Sequence, residues 1–578
     1  MIFIIAFNFN FEKISTKIFT HMLSCNNLSV LTSDGKSILN NAPVGFKPKA
    51  MNAVIGPSGC GKTTLIKAML KIIDSSGDSY FCGQKIQGSE DLVGKVGFAP
   101  QFTCAHTMLS VGEVVKNALD FSISDANLKK ARVSEILEIV GLSEHINKLV
   151  GSLSGGQLRR IGLALELAND PTLMCCDEVT SGLDPLSENA ILDLLSSLCK
   201  ERDKTFICVI HNLAKLDYFE LITVVYEGEI VFQGSLGELK AYFNIDSALS
   251  LYDCLNSIGI EKLRSNWQAH NSADIIDECL SLPQPTTNKV SRPGVITQLA
   301  FLLMRRFKLF FRDTQYLLLT MAISFGFPLV VVIFAIGGLP EIESLSLERN
   351  LGMLEELRVS LRAQISAANT SSVVVGLILF QVVLLALMGA NNSSGEIAGE
   401  RNLYEKERLI GLSPVAYALS KILFTGAIAV FQGVWMCLFV KFVCKFPGDV
   451  FTQCVGLSMI SLSMTFICLA FSSLFTSSEK ASMVSIYLVG FQLPLSGVVL
   501  ALPEALKWIC RPFIATYWGW AGYMTSMKDT AIYDAYMLTK MTPEFMPTPA
   551  LACLVLLLQA VFALGVVFWG CYQKKWNS

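Results

Sequence analysis

Apolar residues concentrate in the second half of the chain, after residue 316. There they form windows long enough to cross about 30 Å of hydrocarbon as helices. Pro328 and Pro494 interrupt two windows, but membrane helices tolerate such breaks where neighbouring helices satisfy the freed backbone groups. We therefore predict an all-α membrane domain with six helices, near residues 316–338, 370–390, 416–440, 451–475, 481–500 and 549–571.

Composition agrees with this division. Of the 578 residues, 52% are hydrophobic, and the mean hydropathy is +0.49, which is too apolar for a wholly soluble chain. The formal net charge of −2 gives no reason to expect nucleic acid as a partner. We expect the lipid bilayer to surround much of the chain.

A glycine-rich segment in the first half has the GxxxxGK[ST] form of a phosphate-binding loop. In such loops backbone N–H groups and the N-terminus of the following helix face the phosphates. Lys62 is expected at the β and γ phosphates, and Thr63 at Mg²⁺. The candidate ATP-binding residues here are Gly56, Pro57, Ser58, Gly59, Cys60, Gly61, Lys62, Thr63 and Thr64.

Further motifs follow this loop in a fixed order. Gln101 comes after the apolar stretch Val96–Pro100, and Asp177 and Glu178 come after another apolar run. His211 follows a third run, Thr205–Ile210. Between them lies Leu-Ser-Gly-Gly-Gln, whose candidate ATP-contacting residues are Ser154, Gly155, Gly156 and Gln157. In this order the motifs resemble the nucleotide-binding domain of ABC transporters over residues 28–245.

The resemblance implies an α/β P-loop ATPase fold with a helical signature subdomain. It gives Gln101 and Asp177 contacts with Mg²⁺, and it makes Glu178 the residue that polarises the attacking water. His211 would contact the γ phosphate, and Ser181–Asp184 matches the D-loop. In the family each ATP lies between the phosphate loop of one subunit and the signature segment of another. We therefore expect pairing with a second half-transporter, either an identical chain or a relative.

The order of the domains narrows the resemblance. An ATP-binding domain that precedes six membrane helices is similar to the half-transporters of the G (White) subfamily and to bacterial ABC-2 proteins. The run from His211 through Val225–Gly234 to Ala241–Phe243 resembles that subfamily. The expected domains are an extension over 1–27, the ATP-binding domain over 28–245, a linker over 246–295, an amphipathic connecting helix over 296–315 and the membrane domain over 316–578.

A charged segment between the second and third predicted spans, Gly395–Arg408, resembles the cytosolic elbow of ABC-2 proteins. Such an elbow would dock on the ATP-binding domain near Gln101. A mixed charge run of this kind is also typical of a solvated surface. At the other end of the domain, Leu28–Ser33 lacks the aromatic residue that usually stacks on adenine in the family.

Orientation follows from the ATP site, which must face cytosolic ATP. Six spans then place both termini of a multi-pass cell membrane protein in the cytoplasm. Basic residues before the first span and after the last, including Arg305, Arg306, Lys574 and Lys575, agree with this. The apolar start lacks a basic region and is too short to span, so Met22 is a plausible true start.

Polar residues inside the predicted spans are candidates for a transport pathway or for contacts between helices. They are Gln381, Gln432 and Gln492, and contacts between helices are the favoured interpretation. The aromatic stretch Tyr517–Tyr523 is predicted to form an interfacial belt, with a lid over an exit path as the alternative.

The sequence favours an ATPase that drives export of a lipid-like or hydrophobic small molecule as a dimer. An ABC-2 translocator of a lipid-linked glycan or polymer is the second hypothesis. The third is an ATP-gated regulatory membrane protein that moves no cargo, against which the intact Glu178 argues.

Overall fold

The computed structural model describes residues 22–31, 35–101, 103–270, 293–335, 353–500, 502–539 and 546–573. Contacts divide the chain into two units, Met1–Gln298 with Asn402–Ser413, and Leu299–Arg401 with Pro414–Asn577. Most of the predicted N-terminal extension, the linker residues 271–292 and the C-terminal lysines lie outside the described residues.

The first unit contains two β-sheets. Their strands are β1 (Leu23–Leu31), β2 (Ser37–Phe46), β3 (Met51–Ile55), β4 (Ser76–Phe81), β5 (Gln84–Lys85), β6 (Val96–Ala99), β7 (Leu173–Asp177), β8 (Thr205–Val209), β9 (Leu221–Tyr226) and β10 (Glu229–Gly234).

The larger sheet has the order β10-β9-β3-β8-β7-β6, and β3, β6, β7, β8 and β9 run parallel in it. The smaller sheet, β2-β1-β4-β5, is antiparallel. Every residue of β3, β7 and β8 is buried. Near-continuous apolar strands of this kind are typical of a parallel sheet that is covered on both faces.

Helices surround these sheets, as the α/β prediction requires. They are α1 (Lys62–Met69), α2 (Val111–Leu119), α3 (Ala126–Ile139), α4 (Gly155–Leu167), α5 (Pro185–Arg202), α6 (Leu236–Phe243), α7 (Leu251–Ile258) and α8 (Ile260–His270). Among these, α2, α3 and α4 pack on one another and correspond to the helical signature subdomain. The predicted linker therefore begins as two helices, α7 and α8.

The rest of the described chain is helical. Its helices are α9 (Val295–Arg312), α10 (Thr314–Ile333), α11 (Met353–Ser393), α12 (Arg401–Ile410), α13 (Pro414–Cys444), α14 (Val450–Leu474), α15 (Ser478–Leu495), α16 (Glu504–Cys510), α17 (Ala515–Thr525), α18 (Ala531–Thr539) and α19 (Pro549–Tyr572).

Five segments of the described residues are long and apolar enough to cross a membrane. They are Thr314–Ile333, Gln364–Ile410, Pro414–Cys444, Val450–Leu474 and Pro549–Tyr572. Each overlaps a predicted window. The sixth window, 481–500, corresponds to α15, which is a helix of 18 residues but begins with Glu479 and Lys480 in its first turn and is not among the five.

Helix α14 lies at the centre of the second unit, where it packs against α11, α13, α17 and α19. Small residues allow these close approaches. A Cβ added to Gly433 on α13 would lie 2.6 Å from the Cα of Ser458, and one on Gly389 of α11 would lie 2.9 Å from the backbone N of Thr465. Close packing at small residues is the usual source of helix association in membranes.

The aromatic stretch on α17 does not form the predicted interfacial belt. Tyr517, Trp520 and Tyr523 are only 4%, 2% and 2% exposed and belong to the hydrophobic core of the second unit. Their spacing of three residues explains this, because it places them on one face of a helix. That face is turned toward the protein, so the belt prediction was wrong.

Candidate functional site

The predicted site residues follow the ends of four neighbouring parallel strands. The phosphate loop follows β3, His211 follows β8, Asp177 ends β7 and Gln101 follows β6. These strands are adjacent in the order β3-β8-β7-β6. Because the carboxyl ends of parallel strands meet at one edge of a sheet, residues far apart in sequence come together there.

The phosphate loop connects β3 to α1 without a side-chain cap. Its glycines are required by the backbone: a Cβ on Gly56 would overlap the carbonyl O of Val225, and Gly61 has φ 101°. Lys62 is buried, and its Nζ donates to the carbonyls of Gly56 and Pro57 at 2.9 and 2.8 Å. The predicted residues Ser58 and Gly59 are exposed at the tip of the loop, ahead of Cys60, Thr63 and Thr64.

Thr63 and Asp177 converge beside this loop. The Thr63 hydroxyl donates to Asp177 Oδ1 at 2.7 Å, across 114 residues of sequence. Burial raises the pKa of the Asp177 carboxyl above its ordinary value, although Thr63 donates to it and Lys67 lies nearby. Hydroxyl and carboxylate oxygens are ligands that Mg²⁺ prefers, so these residues fit a magnesium ion.

Glu178 lies between two other predicted site residues. Gln101 Nε2 donates to its Oε2 at 2.7 Å, and the Nε2 of His211 lies 2.5 Å from its Oε1. In this arrangement Gln101 contacts the carboxylate of Glu178. The backbone of Glu178 has φ 52°, a left-handed conformation that non-glycine residues rarely adopt. Such conformations are often found at functional sites, where the surrounding contacts hold them.

The signature segment forms the start of α4. Ser154 caps the helix, where its Oγ accepts from the N–H of Gln157 while Gln157 Oε1 accepts from the N–H of Ser154. Gln157 is also hydrogen-bonded to His145 at 2.9 Å. Ser154 and Gly155 are exposed and Gly156 is half-buried. An exposed helix N-terminus with free N–H groups is suited to binding phosphate.

The D-loop lies beside Glu178. It lines a cleft of about 230 Å³ together with Glu178 and His211. Asp184 caps α5 and accepts from the N–H groups of Leu186 and Ser187 at 3.1 and 3.0 Å. The neighbour of His211, Asn212, donates to Glu188 on α5 at 2.9 Å, so the helix after the D-loop and the segment after β8 are tied together.

The predicted elbow, Gly395–Arg408, is divided between the units: its residues up to Arg401 belong to the second unit, whereas Asn402–Ser413 belong to the first. Lys406 forms an ion pair with Glu166 on α4 at 2.7 Å, and the two side chains are only 2% and 5% exposed. The other oxygen of Glu166 accepts from the N–H of Phe98 on β6 at 3.1 Å. Glu166 therefore contacts β6 three residues before Gln101, and it lies on the same helix as the signature segment.

Gln298 ties the end of this elbow to the start of α9. Its amide donates to the carbonyl of Gly411 at 3.3 Å and accepts from the N–H of Ser413 at 2.9 Å. The elbow is therefore held at Lys406 and at Gln298. Sequence inspection singled out the elbow but neither Glu166 nor Gln298, because their partners lie far away along the chain.

The three glutamines of the predicted spans have different surroundings. Gln432 accepts from Asn392 at 2.7 Å and donates to Ser324 at 2.9 Å, which joins α13 to α11 and α10. Gln492 on α15 accepts from the N–H of Thr516 at 3.1 Å. Both amide atoms of Gln381 are buried and have no hydrogen-bond partner among the described residues. Two of the three thus contact other helical segments as expected.

Two further residues near the site were missed. Arg159 on α4 lies within electrostatic reach of Glu178. Tyr252 on α7 donates its hydroxyl to the carbonyl of Gly56 at 3.2 Å. No sequence motif identifies either residue. A tyrosine in a segment assigned to a linker carries no sequence signal for a contact with a loop 196 residues earlier.

Comparisons with known proteins agree with this geometry. Residues 39–181 match the family model described as ABC transporter, and residues 297–521 match the one described as ABC-2 type transporter. The methionine import ATP-binding protein MetN of Helicobacter pylori is 32% identical over 226 residues, which are 37% of this chain and 68% of that protein. The chain belongs to the ABC transporter family. Its ATP-binding domain precedes an ABC-2 type membrane domain, as in G-type half-transporters.

Two other relatives match larger shares of the chain. The ABC transporter ATP-binding/permease protein Rv1747 of Mycobacterium tuberculosis is 24% identical over 513 residues, 85% of this chain and 56% of that protein. ABC transporter G family member 23 of Arabidopsis thaliana is 28% identical over 326 residues, 52% of each chain. This chain thus spans about half the length of these two relatives.

Proposed function

We propose that this chain hydrolyses ATP to drive export of a lipid-like or hydrophobic small molecule across a membrane, and that it works as a dimer. The observation that carries the proposal is the group of Thr63, Asp177, Glu178 and His211 at the ends of adjacent parallel strands. Together these residues supply a binding site for phosphate and Mg²⁺, a base for the attacking water and a contact for the γ phosphate. Regulation without hydrolysis would not require Glu178.

The chemistry follows from the positions of the side chains. The loop N–H groups and Lys62 hold the β and γ phosphates. Thr63 and Asp177 would hold a magnesium ion, which would neutralise phosphate charge when bound. Glu178 orients a water and accepts its proton as the water oxygen bonds to the γ phosphorus. The bond from that phosphorus to the β–γ bridging oxygen breaks, and ADP and phosphate leave. His211 and Gln101 keep the carboxylate of Glu178 in place.

The exposure of the signature segment supports pairing with a second copy. Ser154 and Gly155 face solvent, while Ser154 hydrogen-bonds within its own helix. In a dimer the segment Ser154–Gln157 of a second copy would cover the phosphates bound by the first. ATP then stabilises the closed pair, and loss of the γ phosphate allows reopening, as in other nucleotide switches. The elbow would pass this movement on through Lys406 and Glu166.

The membrane helices support transport rather than a soluble ATPase. Five spans in the described residues are long and apolar enough to cross a membrane, and the residues buried between their helices are mostly apolar. An apolar or amphipathic cargo is the class of substrate that we propose for such a domain. With the ATP site in the cytosol, both termini lie there if α15 completes a sixth crossing. A bilayer and a second half-transporter, identical or related, are the partners that this arrangement requires.

ATPase activity of the purified chain in lipid nanodiscs tests the proposal. Wild type is compared with Glu178→Gln, particle mass is measured on both, and lipids, sterols and drugs are added in turn. We expect the substitution to reduce turnover at least about a hundred-fold because it removes the base. Nucleotide binding should persist, and the particle should contain two chains. Equal turnover in the two proteins, or a monomer with full activity, would contradict the proposal.

A further inference from the structure

Helix α7 follows the β-sheets of the ATP-binding domain and contacts the phosphate loop. The hydroxyl of Tyr252 in its first turn donates to the carbonyl of Gly56 at 3.2 Å. Tyr252 is half-buried. A tyrosine phenol is protonated at neutral pH and can donate a hydrogen bond. Burial raises the pKa of this phenol still further above neutral pH.

The conformation of the phosphate loop at its first peptide depends on the carbonyl of Gly56. The next residue, Pro57, has no N–H, so the peptide between them has its carbonyl as its one hydrogen-bonding group. The groups that donate to this oxygen therefore set the orientation of the first peptide of the loop. In the structure Lys62 Nζ and the Tyr252 hydroxyl both do so.

Helix α7 is itself held firmly. Its residues Leu251 and Leu255 are fully buried. One turn after Tyr252, Asn256 accepts a hydrogen bond from Tyr226 of β9 at 3.0 Å. Residues four apart lie on the same face of a helix, so this contact and the contact of Tyr252 are made side by side.

The next helix, α8, is fixed to the adjacent strand. Arg264 on α8 pairs with Glu229 on β10, with Nε 2.6 Å from Oε2 and a second contact between Nη2 and Oε1. The Trp267 ring lies 5.9 Å from the ring of Phe232 between centroids. The hydroxyl of Tyr252 is thus placed by a helix pair that packs on the same β-hairpin as the loop.

We propose that Tyr252 is a positioning residue of the ATP site, which holds the phosphate loop in the shape that accepts nucleotide. The inference rests on the proposed function, since it concerns the same site. When Lys62 contacts the phosphates of ATP, it no longer donates to the Gly56 carbonyl. Among the described side chains, Tyr252 then remains as the donor to that oxygen. The segment after residue 246 then forms part of the nucleotide site as well as a connection between domains.

The test removes the hydroxyl alone. Affinity for trinitrophenyl-ATP with Mg²⁺, and KM and kcat for ATP hydrolysis, are measured on the full chain in nanodiscs for wild type and Tyr252→Phe. One uncharged hydrogen bond corresponds to about a two- to ten-fold change in affinity, so Kd and KM should rise by that factor. The kcat should stay unchanged, because at saturation the nucleotide itself orders the loop.

Tyr218→Phe is the matched control. It also deletes a tyrosine hydroxyl, which donates to exposed Asp193 at 2.9 Å, and it should leave Kd and KM unchanged. Tyr226→Phe removes the tether to Asn256 and should raise KM by less than Tyr252→Phe does. An unchanged Kd and KM in Tyr252→Phe, or a fall in kcat without a rise in KM, would overturn the inference. Normal binding by wild type without hydrolysis would instead count against the proposed function.

Discussion

The ATP-binding unit and the membrane unit place their polar side chains in opposite ways. At the nucleotide site, Glu178 and His211 remain 16% and 40% exposed at the ends of strands. In the membrane unit, Gln432, Asn392 and Ser324 are 1–3% exposed and bond to one another between three helices. A nucleotide site must admit ligand and water, whereas lipid offers no hydrogen-bond partners. The solvent of each unit thus explains how its polar groups are arranged.

The two units also differ in how exposed their ion pairs are. In the second unit Arg306 bonds to Glu396 at 2.7 Å, and Lys421 bonds to Glu396 and Glu400 at 3.0 and 2.6 Å. Two positive and two negative groups balance there, and Lys421 is 4% exposed. Ion pairs of the first unit, such as Lys47 with Glu220, are mostly half-exposed. The pairs Glu166 with Lys406 and Asp120 with Lys129 are exceptions in the first unit, because both of their side chains are buried.

The pair of Glu166 and Lys406 provides the largest expected effect. Lys406→Met leaves the carboxylate of Glu166 buried without its cation, which costs about 3–5 kcal/mol where a buried pair is broken. The elbow should then detach, and amide hydrogen exchange in residues 402–413 should rise more than a hundred-fold. Exchange followed by mass spectrometry on the full chain measures this.

Two companion variants sharpen that experiment. The double variant Glu166→Gln with Lys406→Met buries no unpaired charge and should recover much of the protection. Lys47→Met breaks an exposed pair and should leave exchange in the elbow unchanged. If Lys406→Met exchanges as slowly as wild type, the buried pair does not hold the elbow.

The membrane unit offers a smaller but direct test. Gln432→Leu leaves Asn392 and Ser324 without their shared partner and should destabilise the unit by about 1–2 kcal/mol. The matched control is Gln381→Leu, because the described residues offer that amide no hydrogen bond. We expect its melting temperature in nanodiscs to equal or exceed that of wild type. A loss in the control as large as in Gln432→Leu would remove the contrast between the two sites.

The smallest effect is expected at an exposed ion-pair cluster of the first unit. Burial alone would raise the pKa of Glu135, but Arg132 and Arg202 outweigh it and hold the pKa below its ordinary value. A lowered folded-state pKa adds stability above the ordinary pKa of about 4.3, and this is lost as pH falls through the folded-state value.

Glu135→Gln should therefore cost up to about 1 kcal/mol at pH 7 and progressively less in acid. Thermal melting of the two proteins as a function of pH measures the difference. Glu138→Gln, which removes an exposed carboxylate of the same helix, is the control variant in the same measurement. A difference that stays constant down to pH 3 would rule out the ion pairs as its source.

Much of the site was predictable because its motifs are local. The nine residues Gly56–Thr64 contain both the loop and the first turn of α1, so their spacing alone specifies the cradle. Strand ends mark Asp177 and His211 in the same way. The windows at 416–440, 451–475 and 549–571 lie within a few residues of α13, α14 and α19, because long apolar runs have few other stable structures.

The sequence alone therefore predicted the family, the α/β and helical parts, and the candidate residues for phosphate and Mg²⁺. Tertiary structure decided which groups meet: Tyr252 with Gly56, Glu166 with Lys406, and Gln432 rather than Gln381 with other helices. It also placed the aromatic face of α17 in the core and Glu178 in a left-handed conformation. The physical reason is separation along the chain. Hydropathy and motif spacing depend on neighbouring residues, whereas these contacts join distant residues that packing brings together.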